Sequence, residues 1–350
     1  MARNTVLIPT LQPVATACAP QPVPPLQGFG RLRLAIAAGF VTLALLVPVQ
    51  LLVRPPMLLA ERFVAGAGWI ELGLLAGYAA WLAATLQRPG AWSRWRPRVW
   101  LLFSLVFFAQ FVLGLAGVQR CLMTGALHLP VPALVVAGPV YRGEGFFMAG
   151  LLLTTLVLVG PAWCSWLCYV GAWDQRAALR RPLGRPLSPR RREAIRLGLL
   201  AASLGAAWLL RWSGAAPLTA AALAGGFGLA GVAVMAIVSA RRGWLAHCTS
   251  FCPLGWLVVR LGRISPFRLR IAPTCRSCGH CRPTCRYGAL DREAWRRLKP
   301  HNSCTLCGDC LDECGALQLS FPGLTSPGAR RLLSVLVVAL HAAFLGLARI

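Results

Sequence analysis

Long apolar runs recur near residues 34–53, 65–86, 99–118, 146–168, 197–211, 217–240 and 332–348. A bilayer core about 30 Å thick is crossed by about 20 mainly apolar helical residues. Every backbone polar group inside it must find its partner within the segment. Under those two demands the runs read as a mainly α fold, a polytopic transmembrane helix bundle of about seven spans. The fifth run is short and ends at Arg211, so the fifth and sixth also fit a hairpin that does not fully cross. Composition agrees, since 57% hydrophobic and 13% charged residues are unlike a soluble globule.

The chain has 36 Lys and Arg against 10 Asp and Glu, a balance that in a soluble protein would suggest nucleic acid as a partner. Its distribution gives a different reason. Arg3, Arg31 and Arg33 precede the first run, Arg88, Arg94, Arg96 and Arg98 follow the second, and eight Arg lie from Arg176 to Arg196 after the fourth. The alternate loops are poorer: Arg54 and Arg62 with Glu61, then Arg120 and Arg142 with Glu144, then Arg211. Such alternation follows the positive-inside rule. It predicts a membrane protein without a nucleic-acid role, with the N-terminus and residues 241–331 cytoplasmic and the C-terminus external. Residues 1–30, proline-rich and lacking a signal-peptide pattern, read as a disordered cytoplasmic tail.

The expected order is that tail over 1–30, a transmembrane domain over 31–264, a small soluble insert over 265–327 and a last transmembrane helix over 328–350. The insert is rich in Cys, Arg, Pro and Gly. A segment so short and so poor in aliphatic side chains needs something besides hydrophobic burial to hold it. Ten of the fourteen cysteines lie between Cys248 and Cys314, and eight of them supply that hold.

Cys275, Cys278, Cys281 and Cys285, then Cys304, Cys307, Cys310 and Cys314, are two copies of C-x2-C-x2-C-x3-C. This is the spacing of two-cluster ferredoxins, in which the fourth cysteine of each copy ligates the other cluster. One 4Fe-4S cluster is therefore expected on Cys275, Cys278, Cys281 and Cys314, and a second on Cys304, Cys307, Cys310 and Cys285. The usual proline after each fourth cysteine is replaced by Arg286 and Gly315. Zinc would also accept four thiolates but does not call for the repeated fourth cysteine. His280 and Arg282 in the first copy, against Asp309, Asp312 and Glu313 in the second, predict two electrostatically unlike clusters, the first at higher potential.

A second repeat stands at the ends of the fourth and sixth runs. "WCSWLCYVGAW" and "HCTSFCPLGW" align as C-x3-C-x2-G, matching Cys164 with Cys248, Cys168 with Cys252 and Gly171 with Gly255. Residues i and i+4 share a helix face. Two such ends facing each other would present four thiolates to a further cluster at the membrane surface, or two redox-active dithiol pairs; small apolar packing is the alternative. Trp163, Trp166, Trp173 and Trp244 read as interfacial anchors.

Other residues carry less. Cys18 lies in the tail and Cys121 is a single thiol on the external side. Only His341 falls clearly inside a span, while His128, His247, His280 and His301 fall outside, so paired imidazoles for an integral haem are not expected. Glu71, near the start of the second run, reads as a proton or quinol contact or as a carboxylate snorkelling to the surface.

The order of these features, apolar helices with two C-x3-C motifs and then two C-x2-C-x2-C-x3-C motifs over residues 99–320, resembles the NapH and NosR type of membrane polyferredoxin. Cys252 followed by Pro253 fits that family's C-x3-C-P motif, whereas Cys168 is followed by Tyr169. The external flavin-binding domain of the NosR branch is not expected. The resemblance implies a bacterial inner-membrane electron-transfer protein serving a respiratory or maturation enzyme. The expected function is single-electron transfer between a cytoplasmic or quinone donor and a redox partner protein. The alternative is an assembly factor that uses Cys164, Cys168, Cys248 and Cys252 to reduce a metal or thiol during cofactor insertion.

Overall fold

A computed structural model describes residues 28–122 and 129–347. The tail with Cys18, and His128, lie outside the described residues. Seven helices among those described are long and apolar enough to cross a membrane: Phe29–Leu52, Ala67–Thr85, Ala91–Leu115, Phe147–Trp166, Pro189–Trp212, Pro217–Arg242 and Ser326–Leu347.

Three of these helices start well before their apolar runs. The third opens at Ala91, after Gly90 in the left-handed region at φ 66°, so Arg94, Arg96 and Arg98 are helical and not part of a loop. The fifth opens with Pro189 and has 24 residues. Proline suits a first helical position because its missing N–H has no intrahelical role there. At 1.5 Å per residue this helix is about 36 Å long, enough to cross alone, and the hairpin alternative falls. The seventh opens at Ser326. A run of apolar residues marks only the part of a helix that lipid surrounds, and helical turns carrying Arg extend past it.

The first span packs against the second and the last. The last span is the most enclosed, with 61% of its apolar window buried, against 11% for the sixth; the sixth leaves most of its surface to lipid. Leu333, Val337, Val338 and His341 of the last span are buried in the bundle.

The insert is closed by two antiparallel strands, β1 (Arg268–Ile271) and β2 (Leu317–Ser320), with Arg268 opposite Ser320 and Ile271 opposite Leu317. Alternate residues Leu269, Ile271, Leu317 and Leu319 face inward and are buried, the period of two expected of a strand with one wet face. A short helix, Arg292–Arg296, is capped by Asp291, whose carboxylate accepts the Ala294 N–H. The insert shares one continuous apolar core with the bundle, in which Trp92 and Trp166 contact the same cluster as Cys281, Trp295 and Cys310.

Candidate iron–sulfur sites

In the insert the two cysteine copies have the same unusual winding. Ser277 and Leu306, each just before the second cysteine, have φ of 54° and 51°, and Gly279 and Gly308, each just after it, have φ of 81° and 87°. Positive φ is uncommon for residues other than glycine and concentrates at functional sites. Here it turns backbone N–H groups toward the thiols. The Leu306 N–H faces Cys304, the Asp309 N–H faces Cys307, and Ala289 donates its N–H to Cys285 Sγ at 3.3 Å.

The fourth cysteine of each copy reaches toward the other copy, while Cys278 is held in a disulfide and could serve as a cluster ligand only once reduced. Cys310 lies beside Cys307, Cys285 and Cys304, and all four line one pocket with Leu269, Leu290 and Leu319. Cys281 lies beside Cys314, Cys275 and Cys285. Among the described residues no three His, Cys, Asp or Glu side chains converge tightly enough for a single metal ion. Zinc draws its sulfurs to about 2.3 Å from one centre, whereas a four-iron cubane gives each thiolate its own iron. An apolar pocket walled by four thiols with N–H groups aimed at sulfur fits the cubane.

The C-x3-C motifs form a third group of four. Cys248 lies beside Cys168, Cys252 and Cys164, and Cys252 lies beside Cys168. The two motifs share their local geometry. Each closes a wide turn, with Cys168 N–H donating to the Trp163 carbonyl at 3.1 Å and Cys252 N–H to the His247 carbonyl at 2.7 Å. Each is followed by a helix, Gly171–Ala178 or Leu254–Leu261. The first N–H groups of those helices face sulfur, Gly171 and Val170 toward Cys168 and Gly255 and Leu254 toward Cys252. The two glycines are matched for a steric reason. A Cβ on Gly171 would lie 3.2 Å from the Cys164 carbonyl oxygen, and one on Gly255 would lie 3.0 Å from that of Cys248.

Burial shapes what these thiols can do. It pushes Cys281 up to about 11, and Cys252 and Cys304 up to about 12; Cys168 and Cys248 are raised for the same reason. Protonated buried thiols are poor nucleophiles, which disfavours dithiol exchange. Metal binding would release their protons.

Two residues that the sequence left without a site role join the groups. Tyr287 is 4% exposed and packs between Cys248 of the membrane group and Cys285 and Cys307 of the insert. Arg96, from the third span, is fully buried. Its Nε donates to Asp309 Oδ1 at 2.6 Å, and its other nitrogens donate to the Ser165 carbonyl at 3.2 Å and to Gln175 Oε1 at 2.9 Å. It thereby ties the loop between Cys307 and Cys310 to the turn between Cys164 and Cys168.

Several sequence expectations change here. Asp309 is paired with Arg96, Asp312 with Arg330 at 2.6 Å, and Glu313 lies 3.8 Å from His280. Asp309 and Asp312 are thus paired with arginines, which reduces the charge contrast expected between the two clusters. Trp163, Trp166 and Trp244 are buried at 8%, 0% and 3% exposure and act as packing, not as lipid-interface anchors. The Glu71 carboxylate accepts the Ala60 N–H at 2.7 Å, a local partner on the loop before the second span. His341 is buried in the last span with Nδ1 3.1 Å from the Trp166 carbonyl. Cys121 is a buried free thiol away from the three groups. Where the ferredoxin motif usually places proline, the Arg286 side chain donates to the Arg181 and Gly243 carbonyls, both at 2.8 Å, and clamps the insert to the bundle.

Comparison with known proteins agrees with this picture. The chain matches the 4Fe-4S binding domain family over residues 143–186 and 224–272. Each segment carries one C-x3-C motif, and both stop short of the eight insert cysteines. The fold and the cysteine groups are thus those of a ferredoxin-type iron–sulfur protein with seven candidate membrane spans. Among curated relatives, the methylamine utilization ferredoxin-type protein MauN of Methylorubrum extorquens is 30% identical over 179 residues, covering 46% of this chain and 61% of MauN. The chain therefore spans less than two thirds of that relative. No solved structure matches.

Proposed function

We propose that the protein is an integral-membrane electron carrier with three 4Fe-4S sites. Cys275, Cys278, Cys281 and Cys314 hold the first, Cys304, Cys307, Cys310 and Cys285 the second, and Cys164, Cys168, Cys248 and Cys252 the third, at the membrane surface. When bound, such clusters accept and release single electrons. The observation that carries the reading is the paired geometry of the C-x3-C ends, in which four buried thiols lie within electrostatic range of one another and the N–H groups of two helix starts face two of them.

The chain's own residues supply the rest. Tyr287 fills the space between the membrane group and the second insert group and keeps water out. Arg96 fixes the two loops relative to each other. Leu269, Leu290 and Leu319 wall the second group. By likeness to a ferredoxin-type relative, the partner is a redox protein, a respiratory or maturation enzyme. The donor is a cytoplasmic protein or a quinone. The arginine distribution supports an insert on the cytoplasmic side of a bacterial inner membrane.

Iron and acid-labile sulfide per chain test the reading in anaerobically purified, detergent-solubilised protein. About twelve irons are expected in the wild type and about eight in the variant with Ser at 164, 168, 248 and 252. About eight in both would return these cysteines to a thiol role and favour the assembly-factor reading. Bound zinc without iron would overturn electron transfer altogether.

A further inference from the structure

A chemically different site lies on the flank of the insert. A cleft of about 560 Å³ opens between the start of the fifth span and the segment after Glu293, within the range of about 300–1,000 Å³ typical of small-molecule sites. Its walls are basic, with Arg190, Arg192 and Arg196 on the helix side and Lys299 on the insert side. Its two acids are already engaged, Glu193 with Arg260 and Glu293 with Arg297 at 2.7 Å. The surplus charge is positive.

Hydrogen-bonding groups point to the same ligand class. The cleft includes Ser188 and Pro189, where the 24-residue fifth helix begins. The Ser188 side chain makes no capping hydrogen bond, so N–H groups of the first turn keep the positive end of the helix available to an anion. Three buried side-chain donors on the wall have no acceptor among the described residues: Arg192 Nε, Arg196 Nε and Ser303 Oγ. Their residues are 3%, 4% and 6% exposed. Buried donors ordinarily find an acceptor, and a tetrahedral oxyanion offers several at once. Arg192 is also held in place, donating to the Tyr287 carbonyl at 2.8 Å and the Gly288 carbonyl at 3.0 Å.

We propose that this cleft binds a phosphate-bearing anion, drawn in by Arg190, Lys299 and the helix start and held by Arg192, Arg196 and Ser303. The phosphate belongs to an anionic lipid headgroup or to a soluble phosphate; basic pockets beside transmembrane helices are suited to the former. The binding stands apart from the cluster assignment, because none of its groups is a proposed ligand.

Calorimetric titration of the full-length detergent-solubilised protein tests the proposal with three probes: inorganic phosphate, short-chain phosphatidylglycerol and short-chain phosphatidylcholine. One saturable site is expected for an anionic probe and none for phosphatidylcholine. The exposed pair Arg190→Glu and Lys299→Glu weakens it by about tenfold or more, whereas Arg241→Glu with Arg242→Glu, an equal charge change elsewhere, leaves it intact. Ser303→Ala, a milder change that removes an unpaired hydroxyl, weakens it severalfold with iron content unchanged. Tighter binding of phosphatidylglycerol assigns a lipid, and tighter binding of phosphate assigns a soluble ligand. No saturable binding of either anion, or equal losses in both double variants, overturns the proposal.

Discussion

Replacing Arg96 with Met is the sharpest probe of how the insert is held. Arg96 and Asp309 form a two-point ion pair, at 2.6 Å between Nε and Oδ1 and 2.5 Å between Nη2 and Oδ2, with side-chain exposures of 1% and 11%. Met fills much of the same volume, so the change tests charge and hydrogen bonding more than packing. It leaves the Asp309 carboxylate buried without a cation and strips the Ser165 carbonyl and Gln175 Oε1 of a donor. Breaking one side of a buried pair costs about 3–5 kcal/mol, which at about 1.4 kcal/mol per tenfold raises local opening of the insert by two to three and a half orders of magnitude. Hydrogen exchange at the amides of residues 305–311 reads that opening directly, and the rate of iron loss to a chelator reads its consequence. Adding Asp309→Asn to Arg96→Met removes the orphaned charge and recovers a large part of the loss. An Arg96→Met protein whose exchange and iron loss stay within threefold of wild type would refute the argument, as would a double variant no better than the single.

Other consequences follow from the same geometry. Gly255→Ala sets a Cβ 3.0 Å from the Cys248 carbonyl oxygen, so the variant is expected to lose about four irons per chain while the insert keeps its own; an unchanged count would place the metal elsewhere. Tyr287→Phe removes a buried hydroxyl that has no partner among the described residues and leaves thermal stability nearly unchanged, whereas Tyr287→Ala opens a cavity costing about 3–5 kcal/mol, measured as earlier melting in a thermal scan. Asp291→Ala removes a helix cap at a cost of about 1 kcal/mol, visible as faster amide exchange over 292–296. Burial alone would raise the Asp291 carboxyl, but the Ala294 N–H and the His301 imidazole together hold it below its ordinary range. A carboxylate lowered by folding stabilises at pH above its unfolded value and loses that contribution as pH falls through the folded one. Exchange over the same helix should therefore quicken below the ordinary carboxylate range in the wild type and show a smaller pH dependence in Asp291→Ala.

How much of this was legible in the sequence depends on how local the cause is. Lipid imposes its demand on every residue of a span, so seven spans could be read from apolar runs, and cysteine spacing is equally local. The third, fifth and seventh helices start earlier than their apolar runs suggest, because Arg94, Arg96, Arg192 and Arg330 look like loop charge to a rule that counts apolar residues. Trp163, Trp166 and Trp244 depart from the anchor expectation because Trp favours membrane interfaces only on average, and Trp166 is enclosed by the insert docking over it, while Trp173 stays exposed. The pairing of Arg96 with Asp309 joins residues 213 positions apart. No pattern near either residue encodes it.

The topology itself constrains what an electron can do here. The fourth and sixth spans end, and the seventh begins, on one side of the bundle, because helices crossing in succession alternate direction. The membrane cysteines lie at the first two of those points and the insert leads into the third, so all twelve proposed ligands gather at one end of a bundle that would cross an apolar layer about 30 Å thick. The membrane group and the second insert group, bridged at short range by Tyr287 and Arg96, suit passage along that surface. The helices then serve to bring Cys164 and Cys168 against Cys248 and Cys252 and to supply, through Arg96, Arg192 and Arg330, cations that anchor the insert. On this geometry, an insert cut free of the bundle would lose the buried partner of Asp309, the wall that Trp92 places over Gly308 and the clamp at Arg286. A loosened insert with fast-leaving iron is the expected result, and an isolated 265–327 segment that held its iron as tightly as the whole chain would show that the bundle only tethers it.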